Sequence, residues 1–206
     1  MGRIARCEEH RIHSKDKGTQ KLQFRPHQFR DTNEITSSAL IVPRVSSERR
    51  EYIPMGFLGP ESIILDSAQA VYGAPMWLFG VLTSRMHMVW VRAVGGRLKT
   101  DYRYSAELCF NTFPFPEIDE ELRKRLESAS RQVIAAREEF LGQTMAELYD
   151  PEKMPVLLRE AHERLDAIVD RCFQKKPFRN DEERLALLFE RYQEMAGKKS
   201  NGKKKN

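Results

Sequence analysis

The sequence predicts an α+β chain, with a mixed sheet-and-helix domain over residues 1–116 followed by an all-α antiparallel helical bundle over 117–197. Three observations predict it. Short β-branched runs broken by Gly and Pro fill the first part, and apolar residues at helical spacing fill the second. The charge also reverses: residues 1–116 hold 16 Lys/Arg against 11 Asp/Glu, whereas residues 117–197 hold 14 against 19. The formal net charge of +5 hides this, because a tail over 198–206 adds five lysines and no acid. A basic first half facing an acidic second half points to a polyanion partner for the first half alone.

Residues 1–35 have weak periodicity and scattered Arg, Lys and His, which predicts an arm or irregular lead-in. SSALIVPRVSS (37–47) has the β-branched content of a strand, and Pro43 within it marks an edge or a bend. YIPMGFL and SIILDS predict two more short strands on either side of Gly59-Pro60. APMWLFGVLTSRMHMVWVRAVGG predicts one helix, opened by Pro75 and stopped by Gly95-Gly96. It is apolar nearly all round, so it should pack on two sides, with Trp77, Phe79 and Trp90 in the core. GRLKTDYRYS (97–105 after its glycine) reads as a strand, and NTFPFPEID as a Pro-rich exit.

Beyond Pro116 the pattern is helical. Leu122, Leu126, Ala129, Val133, Ala136 and Phe140 step by alternating fours and threes, a heptad-like seam. Leu158, Ala161, Leu165, Ile168 and Cys172 repeat it, as do Leu185, Leu188, Tyr192 and Met195. Thr144 with Glu147, and Asn180 with Glu183, have capping-box spacing. Short connections between three such helices predict an antiparallel bundle. The lysine-rich 198–206 segment has the composition of a disordered tail.

Several function classes lose ground at once. The longest uncharged apolar stretch, VYGAPMWLFGVLTS, is 14 residues, short of the roughly 20 that span a membrane. Cys7, Cys109 and Cys172 are odd in number and far apart, which fits a reducing cytoplasm better than a disulfide framework. Cys7, His10 and His13 supply three metal ligands with no fourth, so a polar N-terminal arm is the better reading. No phosphate-binding glycine loop, nucleophile elbow or Ser/His/Asp arrangement stands out, so no catalytic residue is assigned. FNTFPFP lacks the Pro-Pro pair of the Asn-Pro-Pro-aromatic motif of adenine methyltransferases.

A binding reading has more to use. If 97–105 is extended, Arg97, Lys99, Asp101, Arg103 and Ser105 share one face. Side chains two apart sit about 6.8 Å from each other, close to two base-pair steps of DNA. Lys99 is a donor for guanine's major-groove acceptors, and Asp101 is an acceptor for cytosine's amine, so the pair can read one G·C pair. Arg97 and Arg103 suit bases or phosphates. The alternative is a solvated strand face carrying a Lys–Asp pair. Ser46, Ser47, Arg49 and Arg50 in VSSERR suit phosphate oxygens, or form an exposed turn. Arg85 and His87 interrupt an apolar helix, either as a satisfied polar pair or as a helix edge near nucleic acid.

IVPRVSSERREYIPMGFL, LFGVLTSRMHMVWVRAVGGRLKTDYRYS and NTFPFPE together resemble the target recognition domain of MmeI-like type IIL restriction-modification enzymes. LYDPEKMPVLLREAHERLDAIVD and DEERLALLFERY resemble the helical C-terminal domain of the same family. The resemblance implies recognition of double-stranded DNA that positions an adenine-specific methyltransferase domain, in the same or a neighbouring chain. It implies S-adenosylmethionine and Mg for the full-length enzyme and no cofactor for this chain. Positions matching Lys99, Asp101 and Arg103 set specificity in that family, and Asp66, Ser67 and Arg44 fall near others. Arg97, Tyr104 and Ser105 join Ser46, Ser47, Arg49 and Arg50 as phosphate contacts. The alternative is a protein-interaction scaffold without catalysis of its own.

Overall fold

The computed structural model describes residues 2–30 and 37–202, the side chains of 198–202 excepted. The chain divides into two compact units, residues 1–36 and 37–206.

In the first unit the expected irregular lead-in contains a helix, α1 (Arg3–Ile12), and a single turn, α2 (Lys17–Gln20). No face of α1 is buried, which is why apolar periodicity did not reveal it. Asp16 caps α2, its carboxylate accepting from the Thr19 backbone N–H at 2.7 Å and the Thr19 hydroxyl at 2.8 Å. Arg11 on α1 donates to the carbonyls of Leu22, Arg25 and Gln28 at 2.9, 2.6 and 2.7 Å. One guanidinium thus satisfies three turn carbonyls and fixes the turn to the helix.

In the second unit, Pro43 is a bend. The chain leaves β1 (Ala39–Pro43) and enters β2 (Val45–Ser46) in a different sheet. The first sheet has the antiparallel order β3-β1-β4, with β3 at Gly56–Leu58 and β4 at Ala68–Tyr72. The strand expected at SIILDS is a loop of turns, and Ala68–Tyr72 pairs along β1 instead, from Ala39↔Tyr72 to Pro43↔Ala68. β-branched content favoured the wrong segment; the vacant side of β1 decided.

The expected single helix is two, α3 (Met76–Leu82) and α4 (Arg85–Val94). Ser84 divides them: its hydroxyl accepts from the His87 N–H and donates to the Val81 carbonyl at 2.7 Å. Ser is a strong N-cap, so the apolar run restarts there instead of continuing. The second sheet has the order β2-β6-β5, with β5 at Gly96–Leu98 and β6 at Asp101–Arg103. The stretch read as one strand is therefore a hairpin. It runs into a π-helical turn, Ala106–Phe110.

The remaining helices are α5 (Glu120–Glu138), the single turn α6 (Met145–Leu148), α7 (Val156–Phe173) and α8 (Asp181–Gly202). Leu126, Ala129, Val133 and Ala136 on α5 are buried, as are Leu158, Ala161, Leu165 and Cys172 on α7. The Thr144–Glu147 capping box forms with both reciprocal bonds. α5 packs on α7 and also on α3, while α8 packs on α4. The C-terminal helices thus do not enclose a core of their own, and α3 and α4 complete it. At the α3–α5 crossing the helices approach at Gly80, where an added Cβ would overlap Ser130 Oγ. The backbone of 198–202 continues α8, and 203–206 lie outside the described residues. Among the described residues no helix is long and apolar enough to cross a membrane.

Candidate functional site

Three segments distant in sequence meet along one edge of the second unit. The Arg44 N–H donates to the Ser67 carbonyl at 3.2 Å, and the Arg44 carbonyl accepts from the Tyr104 N–H at 2.8 Å. Val45 pairs with Arg103 across β2 and β6. The Asp101 carboxylate accepts from the Glu48 N–H at 3.3 Å, tying the hairpin to the 47–50 turn. Arg44, Asp66, Ser67, Lys99, Asp101 and Arg103 are thereby drawn into one neighbourhood by backbone bonds. All are exposed except Asp101, which is half-buried. Among the described residues, the side chains of Arg44, Asp66, Ser67, Lys99 and Arg103 make no hydrogen bond or ion pair.

The hairpin changes which residues share a face. Leu98 pairs with Asp101, Arg97 with Tyr102 and Gly96 with Arg103. Directly opposed residues of an antiparallel pair point the same way. Asp101 and Arg103 therefore share the outer face with Val45 and Leu98. Arg97 lies on the other face, its guanidinium 4.1 Å above the Tyr102 ring and bonded to the Thr100 carbonyl at 3.2 Å. The predicted row of five breaks because Lys99 and Thr100 form a two-residue loop. Lys99 has φ of +56°, the positive value that such a loop demands of its first residue and that glycine normally supplies. The lysine at the hairpin tip thus sits in a conformation costing about 1 kcal/mol or more.

The predicted phosphate contacts divide. Arg50 is half-buried and Arg49 exposed; Arg49 pairs with Glu152 at 2.5 Å, and with both side chains open to water the pair adds about 0–1 kcal/mol. Ser47 accepts from the Arg49 N–H at 3.4 Å. Ser105 caps the π-helical turn, accepting from the Leu108 N–H at 3.4 Å. Two assignments are overturned by burial. Ser46 points into the core beside Tyr102, 3% exposed. Tyr104, also 3% exposed, meets His87 Nε2 through its hydroxyl at 2.9 Å. His87 is therefore a core residue bonded through Nε2, its Nδ1 having no partner among the described residues, and Arg85 faces Asp181 at 2.8 Å.

Beneath the edge lies a buried polar frame that sequence reasoning missed. The Tyr52 hydroxyl donates to Asp166 Oδ2 at 2.7 Å, and the Arg85 N–H, in the first turn of α4, donates to Asp166 Oδ1 at 2.7 Å. Tyr52 stacks on His162 with centroids 4.1 Å apart. His162 Nε2 meets the Tyr149 hydroxyl at 2.7 Å. Arg137 donates to that same hydroxyl and to the Met55 carbonyl, the latter at 2.6 Å. With the Tyr149 oxygen accepting from Arg137, its own proton is available to His162 Nε2, while His162 Nδ1 has no partner among the described residues.

Burial sets the titration of this frame. It pushes Asp166 up to about 7, partly opposed by the Arg85 and Tyr52 hydrogen bonds. It drives His87 down to about 3 and His162 well below its ordinary value, and it raises Tyr52 and Tyr104. The one local signal was on α7: His162 and Asp166, four apart, flank the apolar seam where aliphatic residues would be expected. Cys7, His10 and His13 close no metal site, and among the described residues no cluster of His, Cys, Asp and Glu could hold an ion.

A family model described as the MmeI target recognition domain matches residues 1–117, and one for the MmeI C-terminal domain matches 118–198. DNA methyltransferase A of Bacillus subtilis (strain 168) is 52% identical over 193 residues, covering 94% of this chain and 22% of that protein. The solved structure of the type IIL restriction-modification enzyme MmeI in complex with DNA superposes with a TM-score of 0.88 at 37% identity. That match covers 94% of this chain and 26% of the enzyme. The chain thus spans about a quarter of the length of each relative.

Proposed function

The chain belongs to the MmeI family, and from that premise we propose that its exposed edge reads base pairs of duplex DNA and positions the duplex for an adenine-specific methyltransferase domain. The observation that carries this reading is the convergence of Arg44, Asp66-Ser67 and Lys99–Arg103 on one edge, where the side chains of Arg44, Asp66, Ser67, Lys99 and Arg103 have no hydrogen-bond or ion-pair partner among the described residues. Unpaired guanidinium and ammonium groups are suited to guanine O6 and N7, and carboxylates to the cytosine amine. Lys99 reaches from the hairpin tip and Asp101 from the first position of β6, its carboxylate steadied by the Glu48 N–H. Arg49, Arg50, Ser47 and Ser105 flank the edge and serve phosphates, which fix register without selecting sequence. S-adenosylmethionine and Mg belong, in this reading, to methyltransferase and nuclease parts supplied outside these residues.

The test is selection of bound duplexes from a random pool by the chain and by a K99E/D101R double variant. One position of the selected site should change its preferred base, with discrimination of about 1–3 kcal/mol per contact. The same selected sequence from both proteins would overturn the assignment. The acidic charge of 117–197 favours a second reading, a scaffold whose basic half binds an acidic protein. A scaffold would show no salt-dependent affinity for duplex DNA.

A further inference from the structure

The basic excess of the first half is shared between the two units: residues 1–36 hold eight Lys/Arg and five Asp/Glu, and residues 37–116 hold eight and six. On α1 the spacing places Arg3, Arg6, Cys7 and His10 on one face, since 3.6 residues per turn align positions three, four and seven apart. Arg11 lies off that face and is consumed by the three carbonyls of the 22–28 turn. The nearby acids do not neutralise the face. Asp16 is occupied as the cap of α2, and neither Glu8 nor Glu9 has a cation within ion-pair distance among the described residues. Arg3 and Arg6 are exposed with no hydrogen bond or ion pair among the described residues. Like charges gathered on one face repel each other, and among the described residues of this unit no ion pair relieves them.

We infer that the outer face of α1 is a second DNA contact, in which Arg3 and Arg6 bind backbone phosphates and His10 donates a further hydrogen bond. The inference rests on the DNA-recognition reading but concerns a different site. Two guanidinium groups one turn apart form charge-assisted bonds to phosphate oxygens and carry no base information. This contact adds affinity and leaves the selected sequence as the hairpin edge sets it.

The experiment uses the whole chain, a duplex of random sequence and a titration from low to moderate NaCl. Each phosphate contact contributes about 0.9 to the slope of log affinity against log salt. R3Q/R6Q should reduce that slope by about 2 and weaken binding roughly 50-fold at 0.1 M salt. R3K/R6K, which keeps both charges, should retain the slope, and far-UV circular dichroism of both variants checks that α1 persists. A slope unchanged in R3Q/R6Q overturns the inference while leaving the reading edge intact. Absence of salt-dependent duplex binding by the unaltered chain overturns both. A slope lost equally in R3K/R6K assigns the effect to helix structure and also overturns the inference. If an acidic polypeptide competes with the duplex for Arg3 and Arg6 and binds more tightly, the face belongs to a protein partner and the proposal fails.

Discussion

The buried frame and the exposed edge use the same residue types in opposite ways. At Asp166, Arg137, His162 and Tyr149, polar groups withdrawn from water are bonded to one another, to Tyr52 or to backbone, His162 Nδ1 excepted. At Arg44, Lys99 and Arg103, charged groups stand in water without a hydrogen-bond or ion-pair partner among the described residues. A buried polar group left unpaired costs about 1–3 kcal/mol, whereas an exposed one costs little. The frame therefore sets stability, and the edge is left free for the DNA contacts proposed above. The two are linked because Tyr52 and Tyr104, which follow reading segments in the chain, are anchored on α7 and α4 respectively.

Substitution should separate the two regions, and the largest effect should come from the frame. D166A strips the acceptor from both the Tyr52 hydroxyl and the Arg85 N–H, so the denaturation midpoint should correspond to a loss of roughly 3 kcal/mol. A loss under about 1 kcal/mol would mean that water replaces the carboxylate. G80A comes next. The new methyl group presses on Ser130 Oγ, which is held by the Leu126 carbonyl at 2.7 Å, and overpacking of this kind costs about 1–3 kcal/mol.

Acidity probes the same frame. Asp166 titrates higher folded than unfolded, so its contribution is full below about pH 4 and is lost as pH rises to about 7. His87 and His162 have depressed values when folded, so their contribution is lost as pH falls below about 6.5. Comparing denaturant unfolding of the unaltered chain with D166N across pH 4–7 isolates the first term. The unaltered chain should lose stability relative to D166N as pH rises, and parallel curves would place the titration elsewhere.

The smallest stability effect belongs to the edge. K99G relieves the positive φ and should change stability by less than about 1 kcal/mol, in the stabilising direction. It should nonetheless remove discrimination at one base pair in duplex selection. Unchanged selection with K99G would break the comparison at its most exposed point.

The sequence by itself determined the order of strand-rich and helix-rich parts, the apolar seams of α5 and α7, and the Thr144–Glu147 cap. Each of these is encoded within a few neighbouring residues by periodicity or capping chemistry. Tertiary structure decided the rest. SIILDS lost its strand to AQAVY because β1 offered one open side, and a continuous apolar run became two helices at Ser84. The face shared by Arg97, Lys99 and Asp101 dissolved when two residues closed a hairpin, and Tyr104 turned inward to meet His87. Strand pairing, chain reversal and burial depend on partners far along the chain, and no local pattern of side chains specifies which partner will be there.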